Sequence, residues 1–553
     1  MPAASIGWVL LASALSLPWL MPVHTLPWPG FHADALMALV IMAALTVVLL
    51  KTRGRWTFPV SAVVIVGLSF VPLLQHRVGM IYFSADAFLA SAYLLAFGVA
   101  VLLGRRMEEY WPGRPAAAVF ASFAIAAGIS FAIALNQWLQ LDQWSNFTLG
   151  IYAGNRPVAN VAQSNKLATL YVWGLLAFGW AFRSGWVRGG LTVLTALLLL
   201  FGIAMTQSRM GALAVASVMV MALLHPRALG TNSQRWVLLG LFAWFAGCVF
   251  SWNALNALLE LAPPQGLGER LNPGARLLHW QLIMDAILQR PLLGWGWQQV
   301  SVAQSTLALQ HPVTGEVIMF SHNLVLDLLV WNGLPLGLLL TGGIAAWFVR
   351  HWRSADNTTA VLGMMVLTIF LLHSMLEYPH ASLTLLLPAG LLAGTMSVPG
   401  WPAVKQSAWS GCREGLIAFV ALAMALCFFL VVRDYSRIEA AWMAERVRAA
   451  RIGNLDPIPL PDTPTLGHLN AVLVLGRTEP RKGMSAEEIA AMKQLTYRIP
   501  GVGGMLKLAQ AQVLNGQKVE AEATLDRLCR IHPQPVCDRA RKAWAEMMGT
   551  PPH

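Results

Sequence analysis

The stretch "MFSHNLVLDLLVWNG", Met319 to Gly333, decides the architecture. It places His322 and Asn323 at its start and then turns apolar. A helix rises about 1.5 Å per residue, so about 20 apolar residues cross the hydrocarbon core of a bilayer. The stretch therefore reads as the outer mouth of a transmembrane helix near 323–349, with two polar side chains at the opening. The rest of the chain agrees. Hydrophobic residues make up 57% of its 553 positions and charged residues 12%, with 23 Trp, which points to a polytopic membrane protein rather than a soluble one. The net charge of +12 sits in short clusters between apolar runs. That distribution is a topology signal and argues against a nucleic-acid surface.

Working outward, apolar runs near 5–22, 34–50, 57–74, 85–104, 115–135, 165–182, 189–206, 210–225, 236–252, 323–349, 359–375, 381–397 and 414–432 predict an all-α protein of about 13 transmembrane helices. The first run lacks a basic leader region and an A-x-A-like cleavage site, so it reads as a retained span. Connections such as "KTRGRW" (51–56), "GRRMEEYWPGR" (104–114) and "RHWRSADN" (350–357) each carry at least two Lys or Arg, and they are every second loop. The loops between them, such as "LEYPHA" (376–381), carry one or none. The positive-inside rule then puts the N-terminus in the cytoplasm, and an odd number of spans puts the C-terminal tail outside. The expected domains are N-terminal helices over 1–135, a transmembrane core over 136–432 with a large periplasmic loop at 253–321, and a periplasmic helical domain over 433–553. In that tail, "MLKLAQAQVLNGQKVEAEATLDRLCRIHP" (505–533) reads as an αα-hairpin of the tetratricopeptide sort. Cys529 and Cys537 lie close together in it and suit a disulfide in an oxidising compartment, with two free thiols as the rival reading.

With this topology the unusual polar residues return to one membrane face: Gln163 and Asn165 before the sixth span, Arg209 in a short turn, Arg270, Arg276 and His279 in the long loop, His322 and Asn323, then Glu377, Tyr378 and His380. Each has a plain alternative. Arg209 could snorkel to headgroups, His322 could only cap its helix, Gln163 and Asn165 could be caps, and Glu377 could pair structurally with an arginine. "GWGW" (294–297) reads as a turn with interfacial tryptophans, and the tryptophans in general as interfacial anchors. Together, arginines beside a histidine suit a diphosphate and a proton transfer. Guanidinium groups fork onto phosphate oxygens, and an imidazole takes a proton from a hydroxyl near neutral pH. No carboxylate cluster accompanies them, so a divalent metal is not required, and no cofactor is expected. There is no phosphate loop of the GxxxxGK[ST] type, which argues against nucleotide hydrolysis.

"FSHNLVLDLLVWNGLPLG" (320–337), preceded by "TQSRMGA" (206–212) and "ARLLHWQLIMDAILQRPLLGWG" (275–296), resembles the O-antigen ligase/polymerase superfamily of the Wzy_C type. "NRPVANVAQSNKLATL" (155–170) resembles the narrower signature of PglL/PilO-type protein O-oligosaccharyltransferases, and the polar extension suits that branch. The resemblance implies a GT-C-like membrane architecture in a bacterial inner membrane, with the site on the periplasmic side. It implies en bloc transfer of an oligosaccharide from undecaprenyl diphosphate to a Ser or Thr hydroxyl of a periplasmic protein such as a pilin, inverting and without metal. On that pattern His322 is the catalytic base, Arg209 and Arg276 bind diphosphate with Arg270 competing for the loop role, and Gln163 and Tyr378 bind substrate; Asn165, Asn323 and Glu377, on the same membrane face, are further substrate-binding candidates. One departure stands out: the branch more often has Q-P-N-H where this chain has "QSNK", Gln163 to Lys166, so Lys166 stands where a histidine is expected. A ligase acting on lipid A–core or a repeat-unit polymerase would share the same residues. A transporter of lipid-linked sugars would need ionisable groups at mid-membrane and repeated halves, and neither is seen.

Overall fold

The fold is that of a computed structural model, which describes residues 3–52, 56–141, 146–151, 154–225, 232–261, 274–397, 410–452 and 458–549. Among these residues all regular structure is helical and there is no strand. Six helices are long and apolar enough to cross a membrane: Phe31–Lys51, Val60–Arg77, Ser84–Tyr110, Arg114–Trp138, Leu324–Ser354 and Gly415–Ala449. A pair bent by 59°, Gln234–Phe250 and Trp252–Leu258, could be a seventh. Shorter apolar helices occupy Ile6–Leu20, Gly189–Met205, Arg209–Leu224, Thr358–Ser374 and Leu383–Thr395, and the remaining apolar run is helix Ser164–Arg183.

The chain packs as two units. The first comprises Met1–Gly67, Tyr93–Asn272 and Ala346–Phe428; the second comprises Leu68–Ala92, Pro273–Ala345 and Phe429–His553. The first unit is a helical bundle whose core is rich in aromatic rings, with Trp173 against Phe123 at 4.6 Å and against Trp19 at 6.0 Å. Helices Ser84–Tyr110 and Leu383–Thr395 approach closely at Gly104 and Gly394, where a side chain would strike the backbone of the opposite helix at Leu391 and Val101. Small residues at the seam let apolar helices pack where lipid offers no hydrophobic drive for association.

The second unit is built around a break. Helix Leu324–Ser354 loses its regular path at Gly333, with φ 74° and ψ 175°, two residues before Pro335. Pro335 has no N–H for the carbonyl of Trp331, four residues back, and the turn at Gly333 frees the carbonyl of Val330. The segment after helix Gly274–Gln289 supplies the missing partners. Trp295 N donates to Val330 O at 2.7 Å, Gly296 N to Trp331 O at 3.1 Å, and Leu334 N donates back to Pro291 O at 2.7 Å. Gln75 completes the repair, its Nε2 donating to Trp331 O at 2.9 Å while its Oε1 accepts from Trp297 N at 2.8 Å. Irregular backbone beside lipid survives only when its polar groups are satisfied in this way. Gly294 must be glycine: its φ is 73°, and a Cβ there would come within 2.6 Å of both Gly333 N and Val330 O.

This corrects the expectation for "GWGW". Trp295 and Trp297 are not interfacial but buried, 2% and 7% exposed, because their backbone is docked into the broken helix. Interfacial anchoring does not account for Trp19, Trp56, Trp173, Trp252 and Trp331 either, which are all nearly fully buried. An indole supplies a large apolar body that fills gaps between helices.

The C-terminal tail folds on the long loop within the same unit. Arg498 forks onto Asp86, with Nε to Oδ2 at 2.7 Å and Nη2 to Oδ1 at 3.0 Å. Ser301 donates to Arg498 O at 2.8 Å, Arg527 Nε to Ser305 O at 2.6 Å, and Thr314 N to Arg530 O at 2.9 Å. Helices Val502–Leu514 and Lys518–Ile531 form the αα-hairpin, turning at Gly516 with φ 84°. Cys529 and Cys537 are joined in a disulfide with a Cα–Cα separation of 4.8 Å.

Candidate functional site

In the first unit three distant pieces of sequence meet at Asn165. Its Nδ2 donates to Glu377 Oε1 at 2.9 Å, and its Oδ1 accepts from Ser208 Oγ at 2.8 Å. Ser208 in turn caps helix Arg209–Leu224 by accepting from Gly211 N at 3.0 Å. Arg209 is therefore the first residue of a capped helix, exposed, with its backbone fixed by the cap. Gln163 precedes helix Ser164–Arg183 at the capping position without using its side chain to cap. Tyr378, half-buried, follows Glu377 in the turn before Pro379–Ala381. The segment before Gln163 is pinned by Gln137, whose Oε1 accepts from Val158 N at 3.1 Å and Ala159 N at 2.8 Å. Lys166 lies within electrostatic reach of Asp34 and Glu377, so its charge is directed to carboxylates of the unit.

In the second unit His322 sits in a left-handed backbone conformation, with φ 58°. That region is uncommon for a side chain with a Cβ, although histidine enters it more readily than most, and neighbours can fix it there. Here they do. Ser321 N donates to Asp327 Oδ1 at 2.8 Å, Ser321 Oγ donates to Asn323 O at 2.8 Å, and Trp280 Nε1 donates to Ser321 O at 2.9 Å. Asn323 is a helix cap, accepting on Oδ1 from Val325 N at 3.0 Å and Leu326 N at 3.3 Å. The turn thus aims the half-buried His322 ring from a rigid base.

Close by, His279 is 2% exposed and its Nδ1 lies 3.2 Å from Glu316 Oε1. Burial pushes its pKa below the ordinary histidine value; Glu316 works against that, while His322 and Arg276 add to it. Those shared electrostatics place Arg276, His279, Glu316 and His322 in one neighbourhood. Arg270 lies outside the described residues.

Several residues that build these surroundings were not singled out from sequence. Asp327 steadies the turn before His322. Asp34 accepts from Leu383 N at 2.8 Å, Ser382 Oγ at 3.2 Å and Tyr93 OH at 2.8 Å, tying down the helix after Tyr378. His373 Nδ1 contacts Thr169 Oγ1 at 2.8 Å. A signal existed for all three: each is an ionisable residue inside or at the edge of an apolar run, which is a site hypothesis by default. Glu316 and Trp280 carried no such signal, because only the folded loop brings them to His322.

Two family profiles and two characterised relatives match the chain. A family profile described as "O-Antigen ligase" matches residues 194–341, and one described as "Virulence factor membrane-bound polymerase, C-terminal" matches residues 361–545. The chain is 28% identical over 544 residues to a "General O-oligosaccharyltransferase" of Acinetobacter baylyi, covering 95% of this chain and 92% of that protein. It is also 28% identical over 331 residues to a "ComP-specific O-oligosaccharyltransferase" of the same organism, covering 59% of this chain and 60% of that one. The chain is thus similar to O-antigen ligases over residues 194–341 and, over nearly its whole length, to a protein O-oligosaccharyltransferase, a glycosyltransferase-type activity.

Proposed function

We propose that this protein transfers an oligosaccharide en bloc from an undecaprenyl-diphosphate carrier to a Ser or Thr hydroxyl of a periplasmic acceptor protein such as a pilin. The proposed topology has thirteen crossings of a bacterial inner membrane, with the N-terminus in the cytoplasm and the tail in the periplasm. His322 takes the proton from the acceptor hydroxyl, whose oxygen attacks the anomeric carbon as the bond to the diphosphate oxygen breaks. Arg209 and Arg276, with Arg270 as a further candidate, offer guanidinium groups to the diphosphate as its charge grows. Gln163, Asn165, Asn323, Glu377 and Tyr378 orient substrate, and no metal or other cofactor takes part. Asn165 and Asn323 do this indirectly, since their side chains are committed to Glu377 with Ser208 and to the helix cap. Displacement in one step inverts the anomeric centre.

The observation that carries the reading is the left-handed turn at His322, held by its neighbours and within electrostatic reach of the buried His279. A side chain presented from a hydrogen-bonded turn is pre-positioned in the way that proton transfer requires. A second reading has support in the polymerase description of the profile over residues 361–545: a ligase or polymerase that acts on a lipid-linked glycan instead of a protein.

The test is intact mass of a pilin co-expressed with a lipid-linked glycan pathway, comparing wild type with His322→Ala at matched membrane levels. A glycan-sized gain that vanishes in the variant is the expected result. An unmodified pilin with glycan appearing on lipopolysaccharide would move the acceptor to lipid. A gain that persists in the variant would remove His322 from the chemistry.

A further inference from the structure

Helix Gly274–Gln289 has two apolar faces, and the protein covers one of them. His279, Leu282, Ile283, Ala286 and Ile287 are buried, each at most 2% exposed. On the opposite side Leu277, Met284 and Leu288, spaced by seven and four residues, lie along one stripe and are 56%, 45% and 65% exposed, with exposed Gln281 the one polar residue among them. The stripe has a polar flank, where Asp285 Oδ2 lies 3.3 Å from His311 Nε2. A bare apolar stripe with a polar edge marks an interaction surface.

What covers it follows from where the helix ends. The next residues are hydrogen-bonded into the break of helix Leu324–Ser354, which is long and apolar enough to cross a membrane. Leu292 and Leu293, 71% and 68% exposed, sit at that junction, and Leu339 on the following turns is 70% exposed. These exposed leucines lie on or beside a helix whose length and composition suit a membrane crossing.

We propose that helix Gly274–Gln289 is an interfacial helix, with Leu277, Met284 and Leu288 inserted in the hydrocarbon of the membrane leaflet. Helices of this kind bury an apolar face about 5–10 Å into the boundary between headgroups and acyl chains. Arg276, one residue before the stripe, is then held at headgroup level, where a lipid-linked diphosphate is presented. The insertion itself does not depend on the role given to His322, so the two can fail separately.

The test uses the unmodified protein in nanodiscs of phosphatidylethanolamine and phosphatidylglycerol, each holding a single copy, with hydroxyl-radical footprinting read by mass spectrometry. Met284 and Met547 are each 45% exposed in the fold, so Met547 in the tail is an internal reference for water. The expected result is oxidation of Met284 several-fold slower than that of Met547. Equal rates would show that the stripe meets water and would overturn the proposal. Protection of Met284 confined to discs holding two copies would assign the stripe to a second copy and overturn it as well.

Discussion

His322 shows how one residue's chemistry depends on its backbone. A positive φ strains most side chains, but Asn tolerates it well. His322→Asn should therefore keep the turn while removing the base, and His322→Ala should lose the base and part of the turn. On the proposed mechanism both variants lose about 10²–10⁴-fold in glycan transfer, the usual contribution of a general base. The thermal midpoint separates them: His322→Asn should match wild type, and His322→Ala should fall below it. Equal activity of wild type and His322→Asn would exclude the imidazole as base. Asn323 can be tested beside it, because Asn323→Ala removes a cap worth about 1 kcal/mol and should lower the midpoint with a lesser effect on turnover.

At the scale of elements, the broken helix and the tail contact are the features most sensitive to change. Gly333 has φ 74° and faces Gly294 across the repaired break. Gly333→Ala adds a side chain where neither the φ nor the space accepts one, so the thermal midpoint should drop by at least about 4 °C. A midpoint within error of wild type would mean that the break is not held as described. The Arg498–Asp86 pair is the second element test, with side chains 7% and 2% exposed. Arg498→Ala leaves a buried carboxylate without its partner and should cost about 3–5 kcal/mol. Replacing both members with apolar residues of similar size should recover most of that loss, which denaturation of the single and double variants would measure.

For the whole molecule, pH acts on the second unit through its buried histidines. Burial lowers the pKa of His279, and of His468, which Asp86 pulls back upward and Arg498 lowers further. The unfolded chain keeps the ordinary value of about 6.5, so it takes up protons first as pH falls. The stability from keeping these rings neutral is complete above about pH 6.5 and is lost progressively below it, down to the depressed folded values. The midpoint of wild type should fall between about pH 7.5 and pH 5.5, and His279→Gln should flatten that slope. Scanning fluorimetry across the range checks it, and an unchanged slope would show that His279 does not titrate between the two states.

How much could be read in advance is clear from particular residues. The apolar run after His322 and the rest of the hydropathy pattern pointed to an all-helical membrane protein, because continuous apolar runs of about 20 residues match a helix crossing, whereas barrel strands are shorter and alternate. The motifs around Arg209, Arg276 and His322 pointed to the superfamily, since forked cations and a near-neutral base are types that survive in sequence as types. Two things were decided by tertiary structure alone. The run 323–349 reads as one span, and only the fold shows that it breaks at Gly333, that Trp295, Gly296 and Gln75 repair the break, and so why Trp295 and Trp297 are buried rather than interfacial. Likewise no local pattern joins Asn165 to Ser208 and Glu377, or Glu316 to His279. Hydropathy is a property of neighbouring residues and is legible along the chain. A hydrogen bond between residues 212 positions apart depends on where the helices pack, which only the folded chain fixes.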